Sequence, residues 1–291
     1  MESGEVWKKV RQIDLKARRI SAELGEGDVK SAFRGQGMVF SDVRPYAYGD
    51  NWRHFDWNVT ARTGEPHVKV YQHDKELEVM MLVDISPSSS FATGDQSKRE
   101  AFAELAATIC WSAMRHMDRC GWLLFDDQPR LFRPASRKRT QTWQVILDVL
   151  TGTSQSNETH LAGAIAHFLS LGTRRSLCFI LSDFQTQDFR QALTMLAGKH
   201  EVIGLWCQDG WDTAIPDLGV VYIRDPETGY LRLIDTTSAK SRKTMQDAMH
   251  QKGEQLDAAF AAAGATLIPL RLKDPLYLPL LKHFKQKRMK R

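Results

Sequence analysis

The sequence predicts an α/β fold, a doubly wound, mainly parallel central sheet flanked by helices. Three observations lead there. Strand-sized, continuously apolar runs recur between residues 77 and 270, as in strands covered on both faces. Helix-period patterns separate them, and strand–helix–strand alternation builds parallel sheets. The run SLCFILSD (176–183) ends the same way as LEVMMLVD (77–84), in an aspartate. In such sheets ligands bind beyond the carboxyl ends of the strands.

The elements follow in order. Residues 5–24 read as a basic helix, and residues 31–76, rich in Gly, Arg, Asp and aromatics, as β and turn structure. LEVMMLVD opens the sheet. In helix 97–118, Phe102, Leu105, Ile109 and Met117 fall near one face. GWLLFD (121–126) is the next strand, and RLFR (130–133), close behind Pro129, an antiparallel edge strand. Helix 141–150 carries Trp143, Ile146, Leu147 and Leu150; helix 160–171 carries Leu161, Ile165, Phe168 and Leu169. SLCFILSD and EVIGLWC (201–207) are further strands. VVYIRDPETGYLRLID, within 215–236, reads as a β-hairpin insertion turning at Asp225–Gly229. An Ala-rich helix at 239–263 precedes the strand ATLIPL (265–270). The last segment, LKHFKQKRMKR (281–291), has no acid and reads as a frayed, solvated tail. Two domains are expected: 1–76, the N-terminal helix with an Arg/aromatic β-rich module, and 77–291, the sheet domain.

Composition excludes several classes. The 291 residues are 42% hydrophobic and 26% charged, as in a soluble globular protein with a substantial core. No apolar run approaches the roughly 20 residues of a membrane helix, and MESGEVWKKV lacks a signal-peptide core. A cytoplasmic protein without a transmembrane segment is expected. Cys110, Cys120, Cys178 and Cys207 include no C-x-x-C pair, so reduced thiols are expected rather than zinc or a disulfide framework. The net charge of +5 leans on the basic tail. Nucleic acid, whose binding would weaken steeply with salt, is not the expected partner.

The chemistry concentrates at VDISPSSSF (83–91), where a buried strand ends in Asp84 and a cluster of hydroxyls. A serine nucleophile needs a base and an oxyanion hole, and in α/β hydrolases sits in G-x-S-x-G. Ser86 and Ser88 lack flanking glycines. A phosphate cradle needs glycines too, where this stretch offers Pro87. A hard-cation site fits better, because Mg2+ prefers oxygen ligands in octahedral array. Asp84, Ser86 and Ser88 do not fill six positions, so other loops must contribute. With the edge strand closing one side, the strands ending at Asp84 and Asp183 become neighbours across the switch point. Thr159, ahead of helix 160–171, is either a helix N-cap or a further ligand.

These residues bear a resemblance. D-I-S-P-S (84–88), Thr159 and L-S-D-F (181–184) look like the metal-ion-dependent adhesion site of von Willebrand factor A domains. The segment RGQGMVFSDVRPYAYGDNWRHFDWNVTARTGEPHVKVY (34–71) narrows the match. Its R-x-Y-x-x-G-D…D-W-N…A-R pattern closely resembles a bacterial family, the domain of unknown function numbered fifty-eight. The resemblance extends through DPETG (225–229) and covers nearly all of the chain.

The resemblance implies a von Willebrand factor A-like sheet domain. It implies Mg2+, with Mn2+ as substitute, held through Asp84, Ser86, Ser88, Thr159 and Asp183, with one position open to a partner's carboxylate. It implies a protein-interaction role as adaptor or chaperone-like partner of a MoxR-type AAA+ ATPase, acting on a client protein, and no catalysis. In that arrangement the hydroxyls supply neutral oxygens while the two aspartates bind directly or orient them. Where relatives often carry Gly-Gly-Thr-Asp, this chain has Asn157-Glu158-Thr159-His160; Glu158 is a potential internal competitor for the open position. The alternative is a metal-dependent phosphoesterase or nuclease using the same ion, chemistry that usually needs a carboxylate-rich centre. Arg44, Arg53, Trp57 and Arg62 read either as structural members of the 34–71 module or as partner-docking residues, since Arg and Trp dominate interfaces.

Overall fold

The computed structural model describes residues 3–24, 39–48, 50, 55–72, 77–90, 94, 96–156, 158–186, 188–210, 217–224 and 231–289. Its elements in chain order are α1 (Ser3–Leu24), β1 (Val39–Pro45), α2 (Trp57–Thr63), β2 (His67–Gln72), β3 (Glu78–Asp84), α3 (Lys98–Arg115), β4 (Arg119–Phe125) and β5 (Pro129–Ser136). There follow α4 (Thr140–Thr151), α5 (Leu161–Ser170), β6 (Leu177–Ser182), α6 (Arg190–Lys199), β7 (Glu201–Gln208), β8 (Val220–Arg224), β9 (Leu231–Asp235), α7 (Ala239–Ala262), β10 (Thr266–Arg271) and α8 (Tyr277–Met289). Among the described residues no helix is long and apolar enough to cross a membrane.

The chain divides into two units, Met1–Ala32 with Glu78–Arg291, and Phe33–Leu77. This differs from the expected grouping of residues 1–76. The reason lies in α1, which buries Val10, Ala17 and Ile20 and packs on α3. Asp14 accepts a hydrogen bond from Trp111 Nε1 at 2.9 Å, Lys16 pairs with Glu104 at 2.7 Å, and the Arg18 guanidinium lies 4.7 Å from the Trp111 ring centre.

In the larger unit a six-stranded sheet runs β10-β7-β6-β3-β4-β5. All neighbours are parallel except β4 and β5. The five apolar runs are strands in the expected places, and the antiparallel edge strand is longer than RLFR. From β3 the chain winds outward to β4 and β5, then returns through α4 and α5 to β6 on the other side of β3. The crevice between β3 and β6 is therefore the switch point. Alternate strand residues feed two layers. Met80, Leu82, Leu123, Phe125, Cys178 and Ile180 pack with Leu161, Ile165 and Phe168 of α5, Leu193 and Leu196 of α6, and Phe260 of α7. Val79, Met81, Val83, Trp122 and Leu124 are equally buried, on the side where α3 and α4 pack against β3 and β4.

Three expectations are corrected. The basic tail is mostly the helix α8, whose Leu280 and Phe284, with Leu276 just ahead, are buried at i, i+4, i+8 spacing; one apolar face outweighs the charge on the others. The helix expected at 97–118 stops at Arg115, because Met117 adopts φ 64° and faces solvent. Trp143, assigned to the apolar face of its helix, is 39% exposed. The hairpin β8–β9 forms as expected; its turn at 225–229 lies outside the described residues.

The unit Phe33–Leu77 pairs β1 with β2 antiparallel, with a bulge between Phe40 and Asp42. Its helix α2 begins at Asp56, whose Oδ1 accepts from the N–H groups of Asn58 and Val59 at 3.0 and 3.2 Å. It closes on Gly64 at φ 76°, a left-handed position that suits glycine. Asp56→Ala removes this cap and is expected to cost about 1 kcal/mol. Amide exchange at Asn58 and Val59 should quicken while β3–β7 amides stay protected; unchanged exchange at Val59 would show that the cap contributes nothing.

Candidate functional site

The carboxyl end of β3 curls tightly. Asp84 Oδ1 accepts from the Ser86 N–H at 2.9 Å, and the carbonyl of Ser86 accepts from Ser89 N and Ser89 Oγ at 3.1 and 2.7 Å. A single 3-10 turn, Pro87–Ser90, follows. This turn brings Ser86 Oγ and Ser88 Oγ to 2.9 Å from each other. Arg99, the second residue of α3, clamps the loop, donating to the carbonyls of Ile85 and Gly152 and to Ser89 Oγ.

The end of β6 meets this loop. Ser182 Oγ donates to Asp84 Oδ2 at 2.7 Å and accepts from the Phe184 N–H at 2.9 Å. Phe184 is left-handed at φ 52°, an uncommon state for a bulky residue. Its buried ring stands edge-on to Phe260 at 5.4 Å, which holds the bend. The bend leaves Asp183 with Oδ1 accepting from the Gln185 N–H at 3.2 Å and Oδ2 facing the Lys98 ammonium at 3.0 Å. Lys252 of α7 donates to the Asp183 carbonyl at 3.2 Å. Asp84 is 1% exposed and Asp183 3%. Burial first, and the charge of Asp183 second, push the Asp84 carboxyl up to about 6 against the hydrogen bonds from Ser86 and Ser182.

The third loop is organised by Asp126, at the end of β4 and without exposed surface. Its Oδ1 accepts from Arg130 Nε at 2.6 Å and Gln128 N at 3.1 Å; its Oδ2 accepts from Ser154 Oγ at 2.9 Å and Gln155 N at 3.1 Å. Its carbonyl accepts from the His160 N–H at 2.8 Å. Burial alone would raise this carboxyl, but the Arg130 guanidinium and the N–H donors bring it down to about 2. The Thr159 carbonyl accepts from Thr186 Oγ1 at 3.0 Å, which ties this loop to the Asp183 loop.

Asp84, Ser86, Ser88 and Asp183 thus gather at the switch point, and the Thr159 backbone is fastened three residues beyond Asp183. Thr159 is half-buried, and Glu158 is exposed, its N–H held by Ser156 Oγ at 3.1 Å. In the smaller unit Arg44 pairs with Asp50 at 2.6 Å. Trp57, 71% exposed, stacks on Phe55, which stacks on Tyr46. Arg62 is exposed, and Arg53 lies outside the described residues. Sequence reasoning passed over Lys98, Asp126 and Ser182. The available signals were a lysine at the start of a helix, a third strand ending in aspartate (GWLLFD), and a hydroxyl just ahead of Asp183.

The family model described as "Protein of unknown function DUF58" matches residues 42–255. The chain belongs to this family. The DUF58 chain is also 30% identical over 226 residues to the uncharacterized protein Rv1480 of Mycobacterium tuberculosis and to Mb1516 of Mycobacterium bovis, covering 77% of this chain and 71% of each relative. Among solved structures it is similar to BatB from Bacteroides thetaiotaomicron, with 16% identity, TM-score 0.46, and coverage of 74% of this chain and 98% of that one. It is also similar to the SpRpn10 VWA domain, with 11% identity, TM-score 0.39, and coverage of 73% and 95%.

The donors of the DUF58 chain suit a small hard cation. The Ser86 and Ser88 hydroxyls share a hydrogen bond of 2.9 Å, a separation that also matches adjacent corners of an octahedron with bonds of about 2.0–2.1 Å. Two buried carboxylates in each other's field call for positive charge, which Lys98 supplies at Asp183. Among the described residues no three His, Cys, Asp or Glu side chains gather as a metal-ligand group, so the set is hydroxyl-rich.

Proposed function

We propose that this protein is a Mg2+-dependent protein-interaction module, not a catalyst, that works in the cytoplasm as an adaptor or chaperone-like partner of a MoxR-type AAA+ ATPase. Ser86, Ser88 and Thr159 hold the ion with Asp84 and Asp183, and Mn2+ can replace it. The observation that carries this reading is the convergence of the paired Ser86 and Ser88 hydroxyls with two buried aspartates from separate strands at the switch point. Bound there, Mg2+ supplies a Lewis-acidic point that attracts a carboxylate from a client or from the ATPase. Neutral hydroxyl donors neutralise little of its charge, which favours reversible anion capture over tight storage. The chain's own part is to orient: Ser182 and the Ser86 N–H fix Asp84, Gln185 fixes Asp183, and Arg99 fixes the serine loop.

The test is capture of a purified MoxR-type ATPase on the immobilised chain. Capture is expected in Mg2+ and lost in chelator. Chelator also strips an ATPase of its own Mg2+–nucleotide, so the deciding arm is the Ser86→Ala/Ser88→Ala variant, which keeps both buried aspartates. Equal capture by variant and native protein removes the ion's role; no capture by either removes this partner.

A further inference from the structure

Lys98 stands where helix physics does not ask for it. It is the first residue of α3, inside the capping box that Ser97 and Glu100 form. A cation in the first turn opposes the helix dipole. Lysine is also rarely buried unless paired. Yet the Lys98 side chain is 5% exposed, and its Nζ lies 3.0 Å from Asp183 Oδ2, on a carboxylate only 3% exposed. Its burial is met by the Asp183 partner, but its place in the first turn is not explained by the helix, and a residue set against a local preference marks a function rather than a contribution to folding.

The geometry points to that function. Asp183 Oδ1 accepts from the Gln185 N–H, and Oδ2, which accepts no backbone bond among the described residues, is held by the ammonium. We propose that Lys98 is a tethered cation that competes with the divalent ion for Asp183, so that the site exchanges between an ammonium-filled and a metal-loaded form. This rests on the metal reading above and adds its control. The ammonium offsets the Asp183 charge, as the Arg99 guanidinium faces that of Asp84, which keeps the switch point folded without metal. Loading the ion requires the ammonium to withdraw, because two cations on one carboxylate oxygen repel in a poorly solvated site. Lys98 therefore sets the affinity of the site, and metal occupancy becomes linked to the position of the α3 N-terminus.

The experiment titrates Mn2+ into native protein, Lys98→Met and Lys252→Met, read by electron paramagnetic resonance of free Mn2+. Lys98→Met is expected to bind about tenfold more tightly or better, through loss of one opposing charge. Lys252→Met also removes a nearby charge, but Lys252 bonds the Asp183 carbonyl, not the carboxylate; its affinity should stay within about threefold of native. Amine acylation followed by mass spectrometry gives a second measurement on native protein alone. Lys98 should be protected in chelator and labelled in Mn2+. Equal Mn2+ affinity in native protein and Lys98→Met, or Lys98 still protected when Mn2+ is bound, overturns the competition and leaves the metal site standing. No Mn2+ binding by any of the three proteins overturns the metal site and the competition with it.

Discussion

Asp126→Ala should lower stability by about 3 kcal/mol and release the loop that carries Thr159. The carboxylate is fully buried and accepts four hydrogen bonds, two from backbone N–H groups on separate segments. Alanine strands Gln128 N and Gln155 N, while Ser154 Oγ keeps the Ser156 carbonyl at 2.7 Å, and each buried donor left unmade costs about 1–3 kcal/mol. Arg130 keeps Asp127 and Gln155 as partners, so the loss stays below the sum. Amide exchange should rise selectively at Gln155 and His160, while α3 and β6 remain protected. Asp126→Asn keeps one acceptor oxygen and should lose about half as much. The acid limb follows the same group. Its folded pKa, about 2, lies below the ordinary 3.8, so its stabilisation is complete above about pH 4 and disappears as pH falls toward 2. Unaltered exchange at His160 in Asp126→Ala would deny Asp126 its role as organiser. If Thr159 serves the ion, Mn2+ affinity should weaken in the same variant, although Asp84 and Asp183 are untouched.

The parts of the fold that were readable are those whose signal is local. A strand covered on both faces needs an unbroken apolar run, so LEVMMLVD, SLCFILSD and EVIGLWC were legible. That the first two are neighbours followed because a closed edge at RLFR forces the chain back to the other side of β3. What could not be read depended on one-sided burial in short or charged segments. In α6 only Leu193 and Leu196 are buried within the helix, too few for a period. In α8 the apolar contacts of Leu280 and Phe284 are hidden among lysines. The site divides in the same way. Asp84, Ser86 and Ser88 share one turn, and their convergence is written in D-x-S-x-S. Asp183 arrives through the sheet register, which topology supplied. Lys98, by contrast, reaches Asp183 across 85 positions of sequence, and no local pattern announces such a pairing. Its only trace is a lysine at the unfavourable end of a helix, which becomes meaningful once the helix start is known.

The second large effect is acid sensitivity at His200. This residue caps α6, its N–H donating to the Leu196 carbonyl at 2.8 Å. Its ring lies 2% exposed beside Phe168. Nδ1 accepts from the N–H of Ser176 at 3.2 Å and lies 2.8 Å from Ser176 Oγ. The ring must therefore be neutral, with its proton on the buried Nε2. Protonation would turn Nδ1 into a donor facing the Ser176 N–H. Burial first, then the charges of Lys199 and Arg175, depress the folded pKa to about 4 from the usual 6.5. Because the unfolded state takes the proton more readily, the stabilisation is complete above pH 6.5 and is lost as pH falls toward 4, amounting to about 2 kcal/mol. Asp84 acts oppositely in the same window: its folded pKa is raised to about 6, so without metal its protonation adds stability as pH falls toward 3.8. The native curve alone therefore understates both groups. The informative quantity is the stability difference between native protein and His200→Gln, in which Asp84 is common to both. Urea midpoints measured in chelator should show that difference shrinking by about 2 kcal/mol between pH 7 and pH 4. A difference that stays constant across the window would mean that His200 is free to take its proton in the folded protein.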